Sequence, residues 1–214
     1  MLNQKDRETL DEHAIPTKLT LTQLLDARDK GLQIIDTRDS QFFATGHLRG
    51  SVNVGLAGRY AEYAGSVIRP DEDIVLIAEM GFEAEAKVRL ARIGYDRVIG
   101  WFPVEDLVDV PSEVDRASRL TAAEFAAVRH NVEGLQVVDV RGDGEYKINH
   151  LDGARHIPVG QLRKRIGELD ASKPTVVYCA GGYRSSIAAS VLRAHGFGDV
   201  SDVLGGFEAV LQLN

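Results

Sequence analysis

The sequence predicts an α/β protein built from two similar domains, each with a central parallel sheet flanked by helices. The chain repeats itself, because segment 31–38 (GLQIIDTR) matches 134–141 (GLQVVDVR) at an offset of 103 residues, and 46–54 matches 149–157 at the same offset. In each repeat, short β-branched segments alternate with helical patterns, which favours a parallel sheet. A period of about 100 residues exceeds the 20–50 residues of solenoid units, so it indicates a duplicated domain.

The chain is long enough for two hydrophobic cores, since 214 residues divide into two domains of about 100 residues, a common domain size. The polar stretch around Pro111 separates the two complete patterns and reads as a linker. We therefore predict four segments: an N-terminal extension (1–16), a first domain (17–107), a linker (108–117) and a second domain (118–214).

The predicted elements follow from local patterns, taken along the chain. Segments 19–26 and 120–125 read as short capped helices, and Thr121 with Glu124 fits a capping box. Ile34-Ile35 and Val137-Val138 lie in short strands. Segment 176–178 is apolar without alternation, as expected for a strand covered on both faces. The helix after it shows apolar residues at helical spacing and ends before a capping glycine: Ile187, Val191, Leu192, Ala194 and Gly196.

Composition excludes several classes of protein. The net charge of −7 argues against nucleic-acid binding, which depends on clustered Lys and Arg. A single cysteine excludes an internal disulfide and fits a reducing compartment. The first residues lack the apolar core of a signal peptide, and no apolar run reaches membrane-spanning length. The six histidines have no metal-ligand spacing. We expect a cytoplasmic protein without nucleic-acid or membrane partners, and without metal or other cofactor.

The most informative segment is 176–186 (VVYCAGGYRSS), which contains the only cysteine, Cys179. An apolar strand enters it, two glycines form a turn, and a helix begins near Ser185. Backbone N–H groups of such a loop and of the helix start converge on one point, where they and Arg184 stabilise a thiolate. A lone cysteine is usually a small buried hydrophobe, but a core residue needs neither the glycines nor the Arg-Ser pair. The pattern therefore favours a reactive thiol.

The number of residues between the cysteine and the arginine of this loop limits the reactions that it can support. Cys179 and Arg184 enclose four residues, one fewer than the Cys-x5-Arg loop with which cysteine phosphatases and arsenate reductases wrap an oxyanion. A smaller ring of N–H groups suits a sulfur atom carried on the cysteine better than a whole phosphate. Two alternatives stay open: a phosphatase or arsenate reductase, and a binding module without catalysis.

The motif Cys-x-x-Gly-x-Arg-Ser resembles the active-site loop of the rhodanese (sulfurtransferase) family, and both repeats carry the order Asp-x-Arg and His-Leu-x-Gly typical of it. The resemblance implies that Cys179 takes a sulfane sulfur from an anionic donor, thiosulfate or a persulfide, and passes it to a thiol or another nucleophile. Arg184 would hold the charge of the donor. The resemblance also implies substrate-binding residues in the loop and supporting residues outside it: Ala180, Gly181, Gly182, Tyr183 and Ser185 in the loop, and Asp139, Arg141 and His150 outside it. His156 departs from the family, which has asparagine there, as at Asn53.

The first repeat lacks the reactive residues. Its strand 74–77 is followed by a segment that places Ile77 or Ala78 at the cysteine position and Phe82 or Glu83 at the arginine position. We therefore expect an inactive first domain and a catalytic second one. Segment 56–65 is similar to the inactive first repeat of proteins that fuse a metallo-β-lactamase-like sulfur dioxygenase to two rhodanese repeats. This similarity implies an association with a sulfur dioxygenase-type protein.

Overall fold

The computed structural model describes residues 15–213, which form two parallel sheets with helices packed on both. The elements of the first repeat are α1 (Leu21–Asp29), β1 (Gln33–Asp36), α2 (Ser40–Thr45), β2 (His47–Leu48), β3 (Val52–Asn53), α3 (Tyr60–Val67), β4 (Ile74–Ala78), α4 (Glu83–Ala91) and β5 (Val98–Pro103). After β6 (Val114–Asp115), the second repeat contains β7 (Ser118–Leu120), α5 (Ala122–Asn131), β8 (Gln136–Asp139), α6 (Asp143–Ile148), β9 (Arg155–His156), α7 (Leu162–Arg165), β10 (Thr175–Tyr178), α8 (Tyr183–Ala194), β11 (Val200–Val203) and α9 (Gly206–Leu211).

The two sheets have the same core topology. The first has the order β3-β1-β4-β5 and the second the order β7-β11-β10-β8-β9, and all their strand pairs are parallel. A parallel bridge between Lys18 and Trp101 occupies the place that β7 takes in the second sheet. Strands β4 and β10 are central and every residue in them is buried, which explains their continuous apolar sequences. The predicted fold class is confirmed.

The two predicted capped helices form, but each begins two residues later than predicted. Thr20 caps α1 through Gln23, and Thr121 caps α5 through Glu124; both form reciprocal capping boxes. The helices therefore begin at the residue after each threonine, rather than at the leucine before it. After α8, Gly196 adopts a φ of 87°, a left-handed conformation that glycine tolerates without strain.

The segment predicted as a linker is bound to the first repeat. It contains one short 3-10 turn, Pro111–Glu113, and the end of another, and β6 pairs antiparallel with β2. Arg28 Nη1 donates a hydrogen bond to Glu113 Oε2 at 2.5 Å, and Arg49 forms an ion pair with Asp115. These contacts fix the segment against the first repeat, so it does not act as a free tether.

Helix α8 joins the two repeats. It packs on β10 and β11 of its own sheet and on the edge strand β3 of the first repeat. The backbone N–H of Asn53, which an edge strand would otherwise leave unpaired, donates to Ser190 Oγ at 2.9 Å. All residues of α8 from 185 to 192 are buried, and one hydrophobic cluster includes residues of both repeats. The helix that follows the cysteine loop is therefore enclosed by both sheets.

Candidate active site

Cys179 is the first residue after β10, at the carboxyl edge of the second sheet, where parallel α/β sheets bind ligands. The residue is 1% exposed, so its thiol lies at the base of the loop rather than at the surface. The strand that carries it is fully buried and central, which fixes the position of the thiol.

Two groups of the loop contact the sulfur atom. The backbone N–H of Gly182 donates to Cys179 Sγ at 3.2 Å, and Ser185 Oγ lies 3.5 Å from Sγ while it donates to the Gly182 carbonyl at 3.1 Å. Gly182 has a φ of 98° and precedes α8, so the turn that directs its N–H toward the sulfur favours glycine. The Gly182 N–H favours a negatively charged sulfur because it donates to it, whereas Ser185 Oγ accepts from the thiol in this arrangement.

The carbonyl groups of the loop are held by α9, which the sequence analysis did not select. Phe207 N–H donates to the Cys179 carbonyl at 2.7 Å, and Glu208 N–H donates to the Ala180 carbonyl at 3.2 Å. These oxygens are thereby occupied at the start of α9 and are not left free beside the sulfur. The sequence signal for this contact was the Gly205-Gly206 pair. Both glycines have positive φ angles and form the turn that leads into α9.

Arg184 is bound to a carboxylate that the sequence analysis also missed. Its Nη1 and Nη2 atoms donate to Glu145 Oε2 and Oε1 at 2.6 and 2.7 Å, a bidentate ion pair. Glu145 also accepts the Gly142 N–H at the start of α6, at 3.0 Å. The ion pair raises the pKa of Arg184 above its ordinary value and holds the pKa of Glu145 at about 2. The guanidinium is thus compensated by Glu145 and braces the loop against α6.

The predicted supporting pair Asp139 and Arg141 is buried behind the loop. Arg141 Nη2 lies 2.6 Å from Asp139 Oδ2 and also donates to the Asn149 carbonyl at 2.7 Å. The Arg141 guanidinium lies 4.1 Å from the centroid of the Phe207 ring. The N–H of Phe207 binds the Cys179 carbonyl, so the Asp139–Arg141 pair contacts the loop indirectly, through α9.

The two histidines of this repeat have different positions. His150 is exposed, stacks on Tyr146 with 4.0 Å between ring centroids, and makes no hydrogen bond to loop 179–185 in the part of the chain that the structure describes. His156 Nε2 donates to the Arg141 carbonyl at 2.9 Å. Asn53 Nδ2 makes the equivalent bond to the Arg38 carbonyl, also at 2.9 Å. The histidine therefore keeps the hydrogen bond of the asparagine it replaces.

The remaining predicted binding residues differ in what they contact. The Tyr183 side chain turns away from the sulfur toward the first repeat: its hydroxyl donates to the Gly55 carbonyl at 2.9 Å, and its ring lies 5.2 Å from that of Tyr63. Gly181 is open, because a Cβ built there would meet no atom within 4 Å. Gly182 and Ser185 are the predicted residues that contact Sγ, whereas Ala180 contributes through its carbonyl group.

The pairing of the strands shows which residues of the first repeat correspond to the cysteine loop of the second. Asp36 pairs with Ile77, and its counterpart Asp139 pairs with Tyr178. The residue after Tyr178 is Cys179, so Ala78 occupies the cysteine position, and the alternative Ile77 is wrong. The same register places Glu83, not Phe82, at the position of Arg184.

The corresponding loop of the first repeat has a similar backbone shape but a different partner for its glycine N–H. Gly81 has a φ of 94°, close to the 98° of Gly182. Its N–H donates to Glu83 Oε2 at 2.7 Å, whereas the Gly182 N–H donates to the cysteine sulfur. Glu83 is only 7% exposed, so its own carboxylate fills the place of an anion in this loop.

Residues 15–213 offer neither a metal-binding cluster nor a membrane-spanning helix. They contain no group of three or more His, Cys, Asp or Glu side chains placed to hold a metal ion. Among the same residues, no helix is both long and apolar enough to cross a membrane.

Removing the Arg184 guanidinium is expected to slow alkylation of Cys179 about tenfold at pH 7, because Arg184→Ala leaves the Glu145 carboxylate uncompensated beside the loop. The pKa of Glu145 lies below its ordinary 4.5, so the ion pair stabilises the fold fully above that value and is lost as the pH falls through about 2. Alkylation by iodoacetamide between pH 5 and pH 8 therefore tests the intact pair.

The control is Arg165→Ala, which breaks an exposed ion pair with Glu168 on another helix. The double variant Arg184→Ala with Glu145→Ala should recover part of the rate, since it removes both charges together. Equal rates for Arg184→Ala and the control would show that the ion pair does not act on the thiol.

The chain is similar in sequence or structure to several known proteins. The rhodanese-like domain family matches residues 20–100 and 121–213. The thiosulfate sulfurtransferase GlpE of Pseudomonas paraeruginosa is 36% identical over 94 residues, which are 44% of this chain and 84% of that protein. The putative sulfur carrier protein YrkF of Bacillus subtilis is 34% identical over 95 residues, 43% of this chain and 51% of that protein. A rhodanese-related protein from Thermoplasma volcanium, of known structure, is 27% identical with a TM-score of 0.42, covering 45% of this chain and 93% of that one.

Proposed function

Because this chain belongs to the rhodanese-like domain family, we propose that its second repeat is a sulfurtransferase that carries sulfane sulfur on Cys179. The observation that supports this most is the Gly182 N–H directed at Cys179 Sγ, at the carboxyl edge of a central strand. Cys179 is the only thiol in the sequence, so a covalent cycle on sulfur has one place to occur. The relatives named thiosulfate sulfurtransferase and sulfur carrier point to the same class of reaction.

The proposed cycle has two balanced displacements. The Cys179 thiolate attacks the outer sulfur of an anionic donor, thiosulfate or a persulfide. The sulfur–sulfur bond of the donor breaks, and sulfite or a thiolate leaves with the electron pair. An acceptor thiolate or cyanide then attacks the outer sulfur of the cysteine persulfide, and Cys179 leaves as the thiolate. Neither step requires an outside oxidant or reductant.

The loop can support each charge state of this cycle. The Gly182 N–H already donates to the sulfur, and the Ser185 hydroxyl can rotate from the Gly182 carbonyl to donate to a thiolate or persulfide. Gly181 leaves open space on the outer side of the loop, where a donor can approach. Because Arg184 is compensated by Glu145, its proposed contact with the donor requires the ion pair to be shared or opened.

The first repeat is proposed to be a non-catalytic partner of the second. Ala78 supplies no nucleophile, and the Glu83 carboxylate both fills its loop and repels an anionic donor. Phe42 stands at the position of Glu145, so the first repeat has neither member of the Arg184–Glu145 pair. The first repeat still contacts the active loop through Gly55, which binds the Tyr183 hydroxyl. The association with a sulfur dioxygenase-type protein stays a prediction.

Mass spectrometry of the full chain after exposure to donors tests this function. We expect thiosulfate or glutathione persulfide to add the mass of one sulfur atom, and cyanide or a thiol to remove it. A protein that accepts sulfur from neither donor would contradict the proposal, and its 1% exposed thiol would then favour the binding-module alternative. Hydrolysis of p-nitrophenyl phosphate serves as the control for phosphatase chemistry and should stay at background.

A further inference from the structure

We propose that a cavity between the two repeats binds a small monocarboxylic acid that also carries a hydroxyl or amino group. The cavity encloses about 300 Å³ and lies at the C-terminal end of α8, whose N-terminal end follows the Cys179 loop. Ligand sites of this size are common at domain interfaces. The proposal is independent of sulfur transfer, since none of the loop residues 179–185 lines this cavity.

Arginines outnumber carboxylates among the residues that line the cavity. Its lining includes three arginines, Arg28, Arg69 and Arg163, but one carboxylate, Glu72. Arg28 is already bound to Glu113 at 2.5 Å, and Arg69 is bound to Glu72 at 2.6 Å. Arg163 is left with the same Glu72 at 4.0 Å, which is beyond hydrogen-bonding distance. Arg163 is therefore the one arginine of this lining that has no carboxylate at hydrogen-bonding distance among the described residues.

Arg163 is held in place by neutral groups. Its Nη1 atom donates to Gln33 Oε1 at 2.9 Å and to the Val67 carbonyl at 3.1 Å, and its side chain is 18% exposed. Burial lowers the pKa of this guanidinium, which reflects the cost of holding the charge away from water. A carboxylate matches the planar fork of donors of an arginine and would offset this cost.

A second feature calls for a hydrogen-bond donor on the ligand. The Oε2 atom of Glu72, which lies 4.0 Å from Arg163 Nη1, is buried and accepts no hydrogen bond from any residue between 15 and 213. A buried acceptor without a partner is costly, and a hydroxyl or amino group of a ligand would satisfy it. One small molecule can then bridge the two groups, with its carboxylate at Arg163 and its donor at Glu72.

The apolar part of the lining comes from both repeats. Val52 and Val67 belong to the first repeat, and Val191 and Ala194 belong to α8 of the second. His195 also lines the cavity, with Nδ1 bound to the Val191 carbonyl at 2.8 Å. An aliphatic body suits this surface, so the ligand class is a short branched-chain hydroxy or amino acid.

Thermal melting and calorimetry of the full chain test the proposal with three matched probes. These are 2-hydroxy-4-methylpentanoate, 4-methylpentanoate without the donor, and 2-hydroxy-4-methylpentanamide without the charge. We expect saturable binding that is strongest for the hydroxy acid, weaker for the simple acid and weakest for the amide. Absence of saturable binding by the hydroxy acid, or equal binding by the amide, would overturn the proposal.

Two variants and one control locate the site. Arg163→Gln should weaken binding of 2-hydroxy-4-methylpentanoate at least tenfold. Ala194→Met should block it by filling the cavity while it retains every charge. Arg165→Gln is the control, because its side chain is on the same helix but bound to Glu168. Unchanged binding in both Arg163→Gln and Ala194→Met would place the ligand elsewhere and contradict the proposal.

Discussion

Replacement of Cys179 by serine is expected to abolish sulfur transfer, with a fall of at least about 1,000-fold, as loss of a nucleophile does in other covalent enzymes. Cys179 is the only thiol in the sequence, so no second residue can form the persulfide. The Gly182 N–H and Ser185 would remain in place, but a hydroxyl is a much poorer nucleophile toward sulfur than a thiolate. Thiocyanate formation from thiosulfate and cyanide measures the loss.

The fold should survive this change, because serine is slightly smaller than cysteine and its hydroxyl can hydrogen-bond to Ser185. Circular dichroism and the melting temperature provide the control. A Cys179→Ser protein that is folded and still transfers sulfur above the background rate would exclude the covalent mechanism.

The second large effect is expected at Gly206. A Cβ atom at this position would lie 2.3 Å from the Cys179 carbonyl oxygen and 2.4 Å from that of Ala180, much closer than atoms can approach. Gly206 also has a φ of 58°, which is unfavourable for alanine. Gly206→Ala must therefore push α9 away from the loop and break the bond from Phe207 N–H to the Cys179 carbonyl.

We expect Gly206→Ala to lower the free energy of unfolding by about 2–4 kcal/mol, the size of effect seen for steric strain at special backbone positions. Persulfide formation should fall by at least about tenfold, because the loop loses the anchor of its carbonyl groups. Urea unfolding and persulfide mass spectrometry measure the two effects.

Gly198→Ala is the matched control, since a Cβ at Gly198 meets no atom within 4 Å and its φ is not in the left-handed region. The control should change stability by less than about 0.5 kcal/mol, as is usual for open surface positions. Equal stability and activity for the two variants would show that α9 does not hold the loop.

The fold could be predicted from the sequence because the patterns that indicate it are either local or repeated along the chain. The duplication of 31–38 in 134–141 identified two copies of one domain, and the apolar run before Cys179 identified a central strand. The two-glycine turn after Cys179 identified the loop for the same reason, since the residues that shape it are consecutive.

The contacts that complete the site are distant in the chain, and no local pattern shows them. Glu145 is 39 residues from Arg184, and only the folded sheet brings α6 beside the loop. The choice between Ile77 and Ala78 needed the pairing of β1 with β4. The burial of α8 could have been predicted from one sequence signal. Apolar or small residues cover all faces of this helix from 185 to 192, which is typical of a buried helix.

The position of α8 has a consequence for any attempt to separate the two repeats. The first repeat supplies β3, whose Asn53 N–H binds Ser190 in the helix that begins beside Cys179. Removal of the first repeat would expose an apolar face of that helix to water, which costs free energy. A fragment that holds the second repeat alone is therefore expected to be less stable than the full chain.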